Sequence, residues 1–163
     1  MRLSVLIAVA LCGNTSLVIA REFHTACELL PASEVARIRG HAVRSEPGLS
    51  DAAGPGADVC VYIDLAMRVR FERAEAHSTR AARDRFAKTL AHPLSPTARA
   101  EPLRGLGVEA RYQPFAQSPG GTIVVRYDTT VITLSGNVDR PTLVSLARAV
   151  IAQLSREGAA TVR

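Results

Sequence analysis

The chain contains no tryptophan, and its phenylalanines and tyrosines together make up only 4% of it. That excludes a broad aromatic platform on which single-stranded bases would stack. It speaks equally against stacked sugar rings. Compact basic runs are missing too: the formal charge of +5 is spread along the sequence. Of 20 basic side chains only Lys88 is a lysine. Such an arginine bias can follow from genome composition and is not read as function. There is no Cys-x-x-Cys. The four histidines, His24, His41, His77 and His92, form no His-x-His or His-x-x-x-His pair, whereas a zinc site needs three or four ligands in one place.

Catalytic signatures are equally thin. No Gly-x-Ser-x-Gly elbow is present, and Ser118-Pro119-Gly120-Gly121 reads as a turn between strands. Gly105-Leu106-Gly107 lacks the further Gly and the Lys of a phosphate loop. Glu72 and Glu75 lie among arginines, so ion pairing accounts for them without acid–base chemistry. No metal, no cofactor and no catalytic residue is expected, and the chain is read as non-catalytic.

What is present begins with a targeting pattern. Arg2 precedes an apolar run from Leu3 to Leu11, and Val18-Ile19-Ala20 suits a cleavage site. Residues 1–20 are read as a signal peptide and 21–163 as a single domain. The run is shorter than the ~20 apolar residues of a membrane span, so no stable span is expected after cleavage, with a retained anchor as the alternative. Lipid attachment at Cys12 is disfavoured because Leu11 stands where a small residue belongs. The expected location is periplasmic or secreted.

The mature chain keeps Cys27 and Cys60. An even count outside the cytoplasm points to a disulfide, the alternative being two free buried thiols. The closed loop of about 33 residues corresponds to about 3.5–4 kcal/mol in the chain-entropy model.

Local patterns then give the elements. Leu29–Arg39 reads as a helix, with Pro31 or Ser33 at its start and Gly40 at its left-handed end. An extended stretch follows at His41–Val43, then a Gly/Pro-rich loop at 46–57. Val59, Val61 and Ile63 alternate with polar neighbours as a strand. Met67, Val69 and Phe71 alternate with Arg68 and Arg70 as a second strand, hairpin-paired to it and carrying a basic outer face. Glu72–Leu90 is expected as a polar helix. Its small face is Ala74, Ser78, Ala82 and Phe86, with Arg73, Arg80, Arg83, Arg85 and Lys88 mostly off that face. A Pro-rich linker spans 91–103. Three strands form a meander over Val108–Tyr112, Thr122–Tyr127 and Val131–Leu134. Asp139 caps a last helix whose apolar face is Leu143, Leu146, Ala147, Val150, Ile151 and Leu154, and Gly158 onward reads as a frayed tail. The expected fold is α+β, in the order α-β-β-(β)-α-β-β-β-α. Five to six antiparallel strands would be covered on one face by helices, with two loosely corresponding halves.

These residues resemble a family of small secreted proteins and lipoproteins, of actinobacterial type, whose mature domain has no assigned function. The resemblance rests on Cys27, Leu29-Leu30, Glu34-Val35, Gly40, Cys60-Val61-Tyr62, Gly105-Leu106-Gly107-Val108-Glu109-Ala110 and Leu146-Ala147. Two features depart from the pattern: Val108 stands in place of an Asp, and the lipid-attachment signal is absent. The resemblance implies a compact α+β envelope domain with a Cys27–Cys60 bridge. It implies no catalytic residues.

The functional expectation is an exported domain that binds a protein partner or an anionic ligand. The candidate basic patch is Arg68, Arg70, Arg80, Arg111 and Arg126, if these converge. Nucleic acid is not an expected partner. The competing readings are a secreted enzyme of unrecognised type and an envelope structural or inhibitor-like protein.

Overall fold

The structure, a computed structural model, describes residues 25–48, 57–64, 67–91 and 99–160. The expected signal peptide, with His24, and the centres of the 46–57 and 91–103 segments, with His92, lie outside these.

The N-terminal helix is broken in two by Pro31: α1 spans Ala26–Leu29 and α2 Ala32–Arg39. Thr25 and Glu28 close a capping box on α1, which satisfies two amide donors that a helix start leaves open. Pro31 sits in extended geometry as the N-cap of α2. Gly40 takes φ 78° at its end, a conformation that costs glycine nothing and other residues about 1 kcal/mol or more.

Among the described residues seven strands follow: β1 (Arg44–Pro47), β2 (Ala57–Ile63), β3 (Arg68–Glu75), β4 (Glu101–Pro102), β5 (Glu109–Pro114), β6 (Gly121–Tyr127) and β7 (Thr130–Gly136). They form one antiparallel sheet in the order β1-β2-β3-β7-β6-β5-β4. The expected count of five to six is thus too low. The additional strands are the two edges, four and two residues long. Both end in proline, which blunts an exposed edge against pairing with other chains and also disguises it as loop.

The ladder to β7 carries β3 further than its composition suggests. Arg73, Ala74 and Glu75 pair with Ile132, Val131 and Thr130, so the strand runs through residues expected in the polar helix. Helix α3 starts only at Thr79 and ends at Ala91. His77 lies in the exposed turn before it and not on its surface. Helix α4 spans Arg140–Ala160, so the expected fray is helical as far as Ala160; residues 161–163 lie outside the described residues. Asp139 Oδ1 accepts from the Thr142 amide at 2.8 Å, as a capping residue should.

The helices cover both faces of the sheet, not one. On the inner face, Tyr62, Phe71, Ile123, Val125, Ile132 and Leu134 pack against Leu29 of α1, Leu30 at its C-terminal cap and Val35 of α2, and against Leu143, Leu146 and Val150 of α4. On the outer face, Val124 and Val131 pack against Ala82 and Phe86 of α3. Alternation within Ile123-Val124-Val125 places these two sets on opposite sides. A strand covered on both faces reads as a continuous apolar run, and that run was the available sign. Each half of the chain does contain a hairpin followed by a helix. The two helices, however, close on opposite faces, so the halves are not equivalent.

Cys27 and Cys60 are bonded, with their Cα atoms 5.1 Å apart. The bridge is one of three ties between α1 and β2. Asp58 accepts from the Ala26 amide, and the buried Tyr62 hydroxyl donates to the Leu30 carbonyl. Burial pushes the Tyr62 phenol above its ordinary value, with the Asp58 charge adding to the shift.

Candidate functional site

The register of the sheet decides which of the candidate arginines share a side. Side chains alternate along a strand. On β3, Arg68 and Arg70 therefore point away from Val69 and Phe71, which face the inner core. Cross-strand pairing carries the same face to Ser135 and Thr133 of β7, to Thr122, Val124 and Arg126 of β6, and to Glu109, Arg111 and Gln113 of β5. Arg68, Arg70, Arg111 and Arg126 all belong to this outer face. Arg80 lies exposed on α3, which packs on the same face. All five candidates thus occupy one side of the molecule.

They do not form one compact cluster. Arg70 Nη2 lies 3.3 Å from Glu72 Oε2 on its own strand. Glu109 lies between two arginines, with Arg111 Nη2 at 3.6 Å and Arg126 Nη2 at 3.7 Å. Two foci result, Arg68 and Arg70 with Glu72, and Arg111 and Arg126 with Glu109. Each has two arginines for one glutamate. Helix α3 sits between them over β7 and β6.

The members differ in access. Arg68 and Arg80 are exposed and make no ion pair among the described residues. Arg70 and Arg111 are partly exposed. The Arg126 side chain is only 9% exposed, and its Nε has no hydrogen-bond partner among the described residues. Arg126 therefore cannot touch a ligand directly; it supplies positive potential from below. Arg85 behaves similarly, with a buried Nη1 that is unpartnered among the described residues. Arg73, grouped by sequence with the helix arginines, belongs instead to β3. It is buried on the inner face and pairs with Glu75 at 2.8 Å.

Counting α3 with the outer-face residues of β3, β5, β6 and β7 gives a marked imbalance. The cations are Arg68, Arg70, Arg80, Arg83, Arg85, Lys88, Arg111 and Arg126; the acids are Glu72, Asp84 and Glu109. Eight against three leaves five positive charges, equal to the formal net charge of the whole chain. The remaining sequence is balanced. The basicity is dispersed in sequence but gathered in space.

A second polar cluster escaped sequence reasoning. His41 Nε2 lies 2.7 Å from Asp64 Oδ2, and Arg39 Nε approaches the same oxygen at 3.9 Å. The Asp64 side chain is 5% exposed and that of His41 47%. The contact joins the end of α2 to the end of β2, residues 23 apart in sequence, and no local pattern announces it. No hydroxyl or thiol among the described residues hydrogen-bonds to His41. Among the described residues no three His, Cys, Asp or Glu side chains come together as a metal site. None of their helices is long and apolar enough to cross a membrane.

No protein-family model matches the chain, and neither does any curated protein.

Proposed function

We propose that this protein is an exported, non-catalytic domain of the cell envelope or exterior that holds an anionic ligand or partner against the α3 side of its sheet. The single observation behind this reading is the segregation of charge: the α3 side holds five excess positive charges while the rest of the chain is neutral. A field of one sign over one side raises the local concentration of anions and speeds their encounter. Export is supported by the Cys27–Cys60 bond, since such bonds persist in oxidising compartments.

Charge reversal provides the test. Arg68→Glu combined with Arg70→Glu inverts one focus at exposed or half-exposed positions, so the fold should be retained. Retention of the variant on immobilised envelope polymers should drop about ten-fold or more at low salt. Retention equal to that of the unaltered protein on every envelope fraction would remove the basis of the reading.

A further inference from the structure

We infer that the ligand of this surface is a linear polyanion that crosses over α3 from one arginine focus to the other. The inference rests on the anion-binding reading above and concerns what kind of anion fits. The first ground is distance. Three strand steps separate β3 from β5, and Arg111 lies in the row of Glu72, two residues along from Arg70; at about 4.8 Å per strand and about 3.3 Å per residue the backbones of Arg70 and Arg111 are about 16 Å apart. One phosphate or sulfate group reaches donors at about 3 Å from its oxygens, so with Arg70 held towards Glu72 and Arg111 towards Glu109 it does not span the two.

The second ground is local charge. Each focus holds only one positive charge in excess, because Glu72 occupies one and Glu109 is shared in the other. A single exposed pairing of this kind is weak. Two such sites joined by one chain reinforce each other, because the second contact becomes intramolecular.

The third ground is relief. Helix α3 has a thickness of about 10 Å and stands on the sheet between the foci, with Arg80, Arg83 and Lys88 exposed along it. A flexible chain can follow this ridge and both flanks, whereas a planar bilayer would meet the ridge first. Among the described residues the only large exposed hydrophobic side chain is Val108, at 65%, so the surface has little to insert into lipid. Phe86, the one aromatic of α3, is buried, so bases find no ring to stack on there. The polymer would be recognised by its charge and its length.

The test uses the full chain and fluorescently labelled long linear polyphosphate, with tripolyphosphate, orthophosphate and phosphatidylglycerol vesicles as competitors. Long polyphosphate should bind, with log affinity falling linearly against log salt. At equal phosphate concentration, tripolyphosphate should compete at least about ten-fold less well. Arg68→Gln with Arg70→Gln, and Arg111→Gln separately, should each weaken binding several-fold and reduce the salt slope by about 0.7 per lost contact. Equal competition by tripolyphosphate, or an Arg111→Gln variant that binds like the parent, overturns the bridging chain while leaving anion binding standing. Vesicles that compete as well as the polymer, through Arg80 and Arg83 alone, overturn it in favour of a membrane surface. Failure of both polyphosphates to bind at low salt defeats the anion-binding reading itself.

Discussion

The hydroxyl of Tyr62 is buried and has one acceptor, the Leu30 carbonyl. Tyr62→Phe leaves that carbonyl without its partner and should cost about 1–3 kcal/mol, measured by urea unfolding. The sign of its pH dependence follows from burial. The folded phenol is held above its ordinary value, so its contribution is complete below about pH 10, the unfolded value. It is lost as pH rises through the folded value. The parent protein should therefore lose stability at alkaline pH more steeply than Tyr62→Phe. Asp139 behaves in the opposite sense. Its hydrogen bonds from Thr142 hold its carboxyl below the usual range, so its stabilisation is present above about pH 3.9 and fades as pH falls through the folded value. Asp139→Ala should remove about 1 kcal/mol at neutral pH, and much less in strong acid. Gly107 is a third case. With φ 58°, a Cβ there would lie 2.7 Å from the Arg126 carbonyl oxygen, which already accepts from the Val108 amide at 2.9 Å. Any side chain would push this turn off β6.

Helices and strands were legible where one physical signal dominated. The α4 stripe, the β6–β7 hairpin and the Gly40 stop were readable because periodicity, a tight turn and a left-handed cap each point one way. The β3–α3 boundary was not. Glu72-Arg73-Ala74-Glu75 has helical composition, but its amides and carbonyls are taken by the ladder to β7, and tertiary pairing overrides propensity. That error hid the burial of Arg73, while the position of α3 on the outer face went unread for want of a partner strand in view. Of the site, the outward direction of Arg68 and Arg70 was readable from the alternation along β3; the placement of Arg80, Arg111 and Arg126 on the same side, the glutamate partners and the ridge between the foci depend on long-range register. Helix α3 is the element on which the surface depends. Phe86→Ala should cost about 3–5 kcal/mol and loosen α3 while the inner core keeps its contacts. Hydrogen exchange should show amides of α3 opening ahead of those of α4. The tie between α1 and β2 is redundant by contrast. Cys27→Ala with Cys60→Ala should cost about 3.5–4 kcal/mol, yet Asp58 and Tyr62 still hold α1 in place. Asp58→Ala should therefore be more harmful in the cysteine-free protein than in the bridged one, a coupling that a double-mutant cycle would read in thermal unfolding.

At the level of the whole molecule, the proposed anion binding depends on where the charge lies, not on the modest net charge itself. The inner face uses its helices to bury apolar side chains. Among the described residues the outer face is closed by one basic helix, α3, and the excess charge collects around it. A protein attracted to anions merely by net charge would not distinguish one side from the other. The decisive measurement is therefore a pair of variants of equal net charge. One carries Arg68→Gln, Arg80→Gln and Arg111→Gln on the α3 side; the other carries Arg37→Gln, Arg148→Gln and Arg156→Gln on α2 and α4. The salt concentration that elutes each from an immobilised linear polyanion is compared with that of the parent. The α3-side variant should elute at clearly lower salt and the other close to the parent. Equal losses in both would show that binding follows total charge, and that the α3 side is not a site.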